Sequence, residues 1–138
     1  MYRPTLMRAG MLASILATAI VLAGATLAEE PVVFTDLDTL LKEKPLAPGG
    51  PDADIIDSQH VAASELQIVV ARKIDLHTHE DSTHRIYVAR GKGIFRFAGQ
   101  ARPIKVGDIL TVPKGIVHGF ETSPGPEPLV LLIVETPS

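Results

Sequence analysis

From residue 66 onward the chain is a series of short apolar runs cut by glycine and proline. Leu66 to Ala71, LQIVVA, is apolar and rich in β-branched residues, and it continues through Arg72 to Asp75 toward His77. That is strand composition. His84 to Ala89 forms a second run, with Ile86 and Val88 alternating against Tyr87, and Gly91 and Gly93 bracket Lys92 in a predicted turn. Ile94 to Phe97 alternates as IFRF, and Gln100 to Val106 follows Gly99. After a turn at Gly107-Asp108 come Ile109 to Val112, a turn at Pro113-Lys114-Gly115, and a short run from His118 to Thr122. Proline-rich Ser123 to Pro128 reads as a loop, and Leu129 to Glu135 closes the set. Many short strands between turns predict an all-β sandwich or barrel. The chain has no internal repeat.

Upstream the pattern changes period. Thr35 and Asp38 read as a helix start, Leu37, Leu40 and Leu41 share one face, Lys42 and Lys44 fall in the last turn, and Pro45 ends the pattern. A short helix lying on the barrel follows. Ala47 to Asp54 is loop chemistry, and Asp57 to His60 either begins a strand or sits at a pocket rim. Met1 to Ala28 has Arg3 and Arg8, no acidic residue, and an alanine-rich apolar core ending in small residues. This layout predicts a secretory signal peptide over 1–28, cleaved before Glu29, against the alternative of an uncleaved membrane anchor. The predicted organisation is a signal at 1–28, an extension with helix and loop at 29–60, and a barrel domain at 61–138. The mature protein is then expected outside the cytoplasm, in the periplasm of a bacterium, free of the membrane.

Composition narrows the chemistry. The chain has no cysteine, so any metal must be held by nitrogen or oxygen. The formal charge is −3 and becomes more negative once the two signal arginines are removed, which argues against nucleic acid as a partner. Exposed edges in small barrels are commonly covered by a second copy, so a homodimer is expected.

Four of the five histidines fall in two stretches, HTHEDSTH and the end of GDILTVPKGIVH. In an extended chain His77 and His79 project from one face, roughly 7 Å apart at the backbone. One cation fits between them. His84 returns beside them if the strands run antiparallel, and His118 reaches the same point only if the sheet folds over or closes. An H-E-x-x-H protease helix does not fit, because His84 comes five residues after His79, a helical turn of roughly 140° away.

These offsets resemble the two signature motifs of the cupin superfamily. His77, His79 and Gly91 match the first, and Gly107, Pro113, Gly115 and His118 match the second without a gap. Ala71 replaces the first glycine, Thr122 replaces an asparagine, and His84 occupies the usual glutamate position. The sequence is similar to the small single-domain cupins that carry four histidines. The resemblance implies a double-stranded β-helix, or jelly-roll barrel, with His77, His79, His84 and His118 as ligands of a divalent transition metal. Manganese, iron, nickel or copper would leave positions open for substrate, whereas tetrahedral zinc with four protein ligands would leave none. A three-histidine site with His84 turned away is the alternative.

Four neutral imidazoles leave the metal its full double charge, which favours an anionic or enolisable small-molecule ligand. No catalytic residue is assigned. Glu80 and Asp81 read as solvated loop charges rather than proton carriers, His60 as a surface or rim histidine, and Tyr87 as facing away from the metal. Phe95 and Phe97 read as wall residues, while strand parity leaves the direction of Arg72, Arg85 and Arg96 open. Two functions stand: a metal-dependent dioxygenase-type enzyme on a small oxygenated compound, and a non-catalytic module binding a ligand, sugar or metal. A sugar isomerase or epimerase is a third, without a clearly placed acid–base pair.

Overall fold

The computed structural model describes residues 31–138. The predicted signal peptide lies outside the described residues. Asp36 caps helix α1, Leu37–Glu43, by accepting the Thr39 amide at 2.7 Å, so the helix starts one residue after the expected Thr35. Strands β1 (Ala53–Val61), β2 (Ser64–Ala71), β3 (Lys73–His77), β4 (Ser82–Arg90) and β5 (Lys92–Phe97) follow. Then come β6 (Gln100–Lys105), β7 (Ile109–Val112), β8 (His118–Thr122) and β9 (Leu129–Pro137). They form a five-stranded sheet, β1-β2-β9-β4-β7, and a four-stranded sheet, β3-β8-β5-β6, with every pair antiparallel.

The two sheets close on an apolar interior. On β9 the residues Leu129, Leu131 and Ile133 alternate inward, and they meet Val69, Ala71, Ile86 and Val88 from β2 and β4 with Phe95 and Phe120 from the facing sheet. The other face of the large sheet is also buried. Ile56, Ile68, Val70 and Val130 pack there against Leu37, Leu40 and Leu41, so the helix lies on the barrel as its apolar stripe requires. Burial on both faces is why LQIVVA reads as an unbroken apolar run instead of alternating. An ion pair of 2.9 Å from Arg90 to Asp38 fastens the helix to β4.

Two boundaries differ from the sequence reading. The barrel begins at Ala53, because β1 pairs with β2 from Ala53 opposite Ala71 to Val61 opposite Ser64. Residues 53–60 therefore belong to the sheet and not to the 29–60 extension. Gly93 is a strand residue opposite Thr122, and Gly91, at φ 76°, makes the turn by itself. Gly93 is needed for another reason: a Cβ there would collide with the Glu121 carbonyl.

Gly119 has a similar role nearer the site. A Cβ at this position would lie 2.6 Å from the Ile74 carbonyl oxygen, inside the β3–β8 pairing that sets His77 opposite His118. Backbone cannot yield as a side chain does. Gly119→Ala is expected to lower stability by about 1–3 kcal/mol, the usual cost of overpacking. Denaturant unfolding measures this, and an unchanged midpoint would contradict it.

Candidate metal centre

Each of the four histidines is delivered by a different feature of the chain. His77 ends β3 directly across from His118, the first residue of β8. His79 lies two residues beyond β3, in a loop tied to the Pro113–Gly115 turn by a 2.7 Å bond from the Gly115 amide to the His79 carbonyl. His84 sits on β4, inward with Ser82, Ile86 and Val88, between Val112 of β7 and Glu135 of β9. Ring centroids of His77 and His118 are 4.5 Å apart, those of His77 and His79 5.0 Å, and those of His79 and His84 4.0 Å. His84 and His118 are 5.8 Å apart. The folded-over sheet thus brings together residues separated by up to 41 positions in sequence (118 − 77).

The rings do not form one uniform set. Donor atoms of His77, His79 and His118 lie within 4.8 Å of one another, and those of His79, His84 and Glu135 form a second, overlapping group. His79 belongs to both. The carboxylate is a residue the sequence reading missed. A signal for it was present, since Leu129, Leu131, Ile133 and Glu135 share strand parity and the first three are core residues. Its Oε1 accepts the Ser82 hydroxyl at 2.8 Å, and its Oε2 lies 3.4 Å from His84 Nε2.

Hydrogen bonds fix the tautomers of two rings. His77 Nδ1 contacts the Asp75 carbonyl at 2.8 Å and His118 Nδ1 contacts the Ile116 carbonyl at 2.8 Å. A carbonyl only accepts, so both Nδ1 atoms carry hydrogen and the Nε2 lone pairs are free for a ligand. His79 Nε2 and His84 Nε2 are buried without a hydrogen-bond partner. An unsatisfied buried polar atom costs about 1–3 kcal/mol, and a cation accepting both lone pairs removes that cost. The donor set fits a divalent transition metal.

The pocket around these rings has a volume of about 310 Å³, with Ile74, Ile86, Ile133 and Phe120 as apolar wall and Asp54 and Gln67 among its polar lining. A larger hollow of about 470 Å³ is lined by Phe97, Arg102 and Ile109 among others, and none of the four histidines lines it. The remaining candidates fall as expected or outside the site. Glu80 and Asp81 are exposed, and His60 is a surface residue with 74% of its side chain accessible. Tyr87 points away from the interior on β4. Arg85 is exposed, Arg96 pairs with Glu121 at 3.5 Å, and Arg72 reaches the Leu46 carbonyl at 3.3 Å, so none of the three lines the histidine pocket. Phe95 is buried in the core, with the half-buried Phe97 stacked on it at 4.9 Å.

Burial pushes His118 down to about 4, against the opposing hydrogen bond to Ile116 and with help from the neighbouring histidines. Burial likewise lowers His84, reinforced by His79 and opposed by Glu135. Both rings are neutral at pH 7, as metal ligands must be. Between the ordinary histidine value of 6.5 and about 4 the unfolded chain binds protons that folded His118 refuses. Stability of the metal-free chain is therefore expected to fall as pH drops through that window, by about 3 kcal/mol for His118 alone at roughly 1.4 kcal/mol per pKa unit. Denaturant midpoints at pH 7.5 and 4.5 test this, and equal values would contradict it.

Comparison with known proteins agrees with the geometry. The Cupin_2 family model, described as a cupin domain, matches residues 65–135. The chain is 32% identical over 103 residues to an acireductone dioxygenase of Gluconobacter oxydans, an alignment covering 70% of this chain and 50% of that protein. It thus spans about half the length of that relative. A protein with a double-stranded β-helix domain from Klebsiella pneumoniae superposes with a TM-score of 0.61 at 24% identity, covering 78% of this chain and 91% of the other. A cupin-2 domain protein from Shewanella frigidimarina gives a TM-score of 0.57 at 14% identity, covering 75% and 94%. With its jelly-roll sheets and a family match over half its length, this chain belongs to the cupin superfamily as a small Cupin_2 protein.

Proposed function

We propose that this chain binds one divalent transition metal through His77, His79, His84 and His118 and acts as a dioxygenase-type enzyme on a small oxygenated compound. The observation that carries the metal-binding part is the pair of buried, unpartnered Nε2 atoms on His79 and His84, set beside two rings whose tautomers leave Nε2 free. Support for the dioxygenase part comes from the similarity to an acireductone dioxygenase. When bound, such a metal polarises an oxygenated substrate and stabilises negative charge that develops on it.

The protein's own residues do the rest. The Asp75 and Ile116 carbonyls hold His77 and His118 in their tautomers. Ile74, Ile86, Ile133 and Phe120 exclude water from the inner wall, which strengthens every electrostatic interaction inside. Gln67 and Asp54 offer polar contacts to a bound molecule. The pocket volume of about 310 Å³ suits a small molecule, at the lower end of the range for ligand sites.

His77→Ala and His118→Ala are each expected to abolish stoichiometric metal uptake, while His60→Ala leaves it intact; equal metal content in all three would refute the assignment. Metal content after dialysis is expected to fall as the pH is lowered toward about 4, where buried His118 takes up a proton, because ligand histidines must be neutral. Oxygen consumption by chain loaded with manganese, iron, nickel or copper, screened against small dicarbonyls, catechols and flavonols, tests the enzyme. Uptake that is lost in His77→Ala supports it. Tight ligand binding without turnover would instead identify a non-catalytic binding module.

A further inference from the structure

We infer that Glu135 is an oxygen ligand of the metal centre, supplying from β9 the carboxylate that the family pattern puts at position 84. This rests on the metal-binding proposal above and deepens it. His84 and Glu135 are directly opposed residues of the antiparallel β4–β9 pair, and both project into the histidine pocket. The carboxylate then comes from the adjacent strand at the same level of the barrel.

The contact geometry is that of two donors to a common cation. Ser82, itself buried, donates to Oε1 at 2.8 Å and so turns Oε2 toward the ring. Oε2 lies 3.4 Å from His84 Nε2, yet that nitrogen has no hydrogen-bond partner. At 3.4 Å the contact is long and weak, enough for the carboxylate to raise the ring's proton affinity but not a normal hydrogen bond. Donors about 2.1 Å from one metal stand about 3.0 Å apart at a right angle and about 3.6 Å apart at the 120° of a five-coordinate equator. The observed separation matches that range. His79 completes the group, with donor atoms of His79, His84 and Glu135 all within 4.8 Å.

Charge is the consequence. Four neutral imidazoles would leave a dication uncompensated, whereas Glu135 reduces the net charge of the centre to a single positive unit. The preference for anions expected from the histidine set is correspondingly weakened, and neutral enolisable compounds become the better-matched substrate class.

Titration of the full chain with Co(II), read by calorimetry and by the visible spectrum of the ion, tests the assignment. Glu135→Gln preserves shape and removes the anionic oxygen, and it is expected to weaken Co(II) binding at least tenfold and to shift the visible bands. Returning the carboxylate in the double variant His84→Glu with Glu135→Gln is expected to recover most of the affinity. Unchanged affinity and spectrum in Glu135→Gln would overturn the inference. The wild-type chain gives a second readout that does not depend on a variant folding: Co(II) binding should shift a carboxylate band in the infrared difference spectrum, and no such shift would also overturn it. His79→Ala, whose donor belongs to both groups, separates this inference from the reading beneath it. Loss of Co(II) in His79→Ala with no change in Glu135→Gln removes only Glu135, whereas retention in His79→Ala removes the metal centre itself.

Discussion

Buried imidazole nitrogens need a partner, and that requirement ties the barrel to its chemistry. His84 and His118 are 5% and 2% exposed, too deep for water to compensate them freely. Burial keeps both rings neutral at pH 7, so each carries a nitrogen lone pair into a pocket lined by all four histidines. A sequence selected for stability alone would place apolar residues at these positions, as it does at Ile86 and Val88 on the same strand face. Polar groups retained at such cost point to a site.

The sheets deliver these rings through register. His77 opposes His118 across β3–β8, and Gly119 allows those backbones to approach closely enough to keep them so. On the other sheet, His84 is held between Val112 and Glu135 by pairing on both sides. A slip of one residue in either place would turn a donor out of the pocket. The second apolar layer, where α1 covers Ile68, Val70 and Val130, makes the large sheet a fixed wall and so stabilises the site from behind.

Much of this was legible in the chain itself. Alternation and turn residues placed most strand interiors, with β7 and β8 matching end to end, because Gly and Pro mark those turns with little ambiguity. The histidine offsets indicated a shared point since strand periodicity is fixed at two. Other features depended on the third dimension. β1 was only half visible: Asp57 to His60 reads equally as the start of a strand or a pocket rim, and its pairing with β2 settles on a strand that begins as early as Ala53, inside the stretch that reads as loop. Gly93 looked like a turn residue because its true constraint, the Glu121 carbonyl, comes from far along the chain. Glu135 went unnoticed although its parity with Leu131 and Ile133 aims it inward, because a carboxylate at the end of an apolar strand ordinarily reads as the point where the chain meets water.

The central claim is that imidazoles from β3, the loop after it, β4 and β8 converge on one cation. X-ray absorption at the metal edge of the loaded chain measures this directly. The account predicts a first shell dominated by nitrogen, with the outer-shell scattering of several imidazole rings. A shell of oxygen alone, without imidazole scattering, would contradict it.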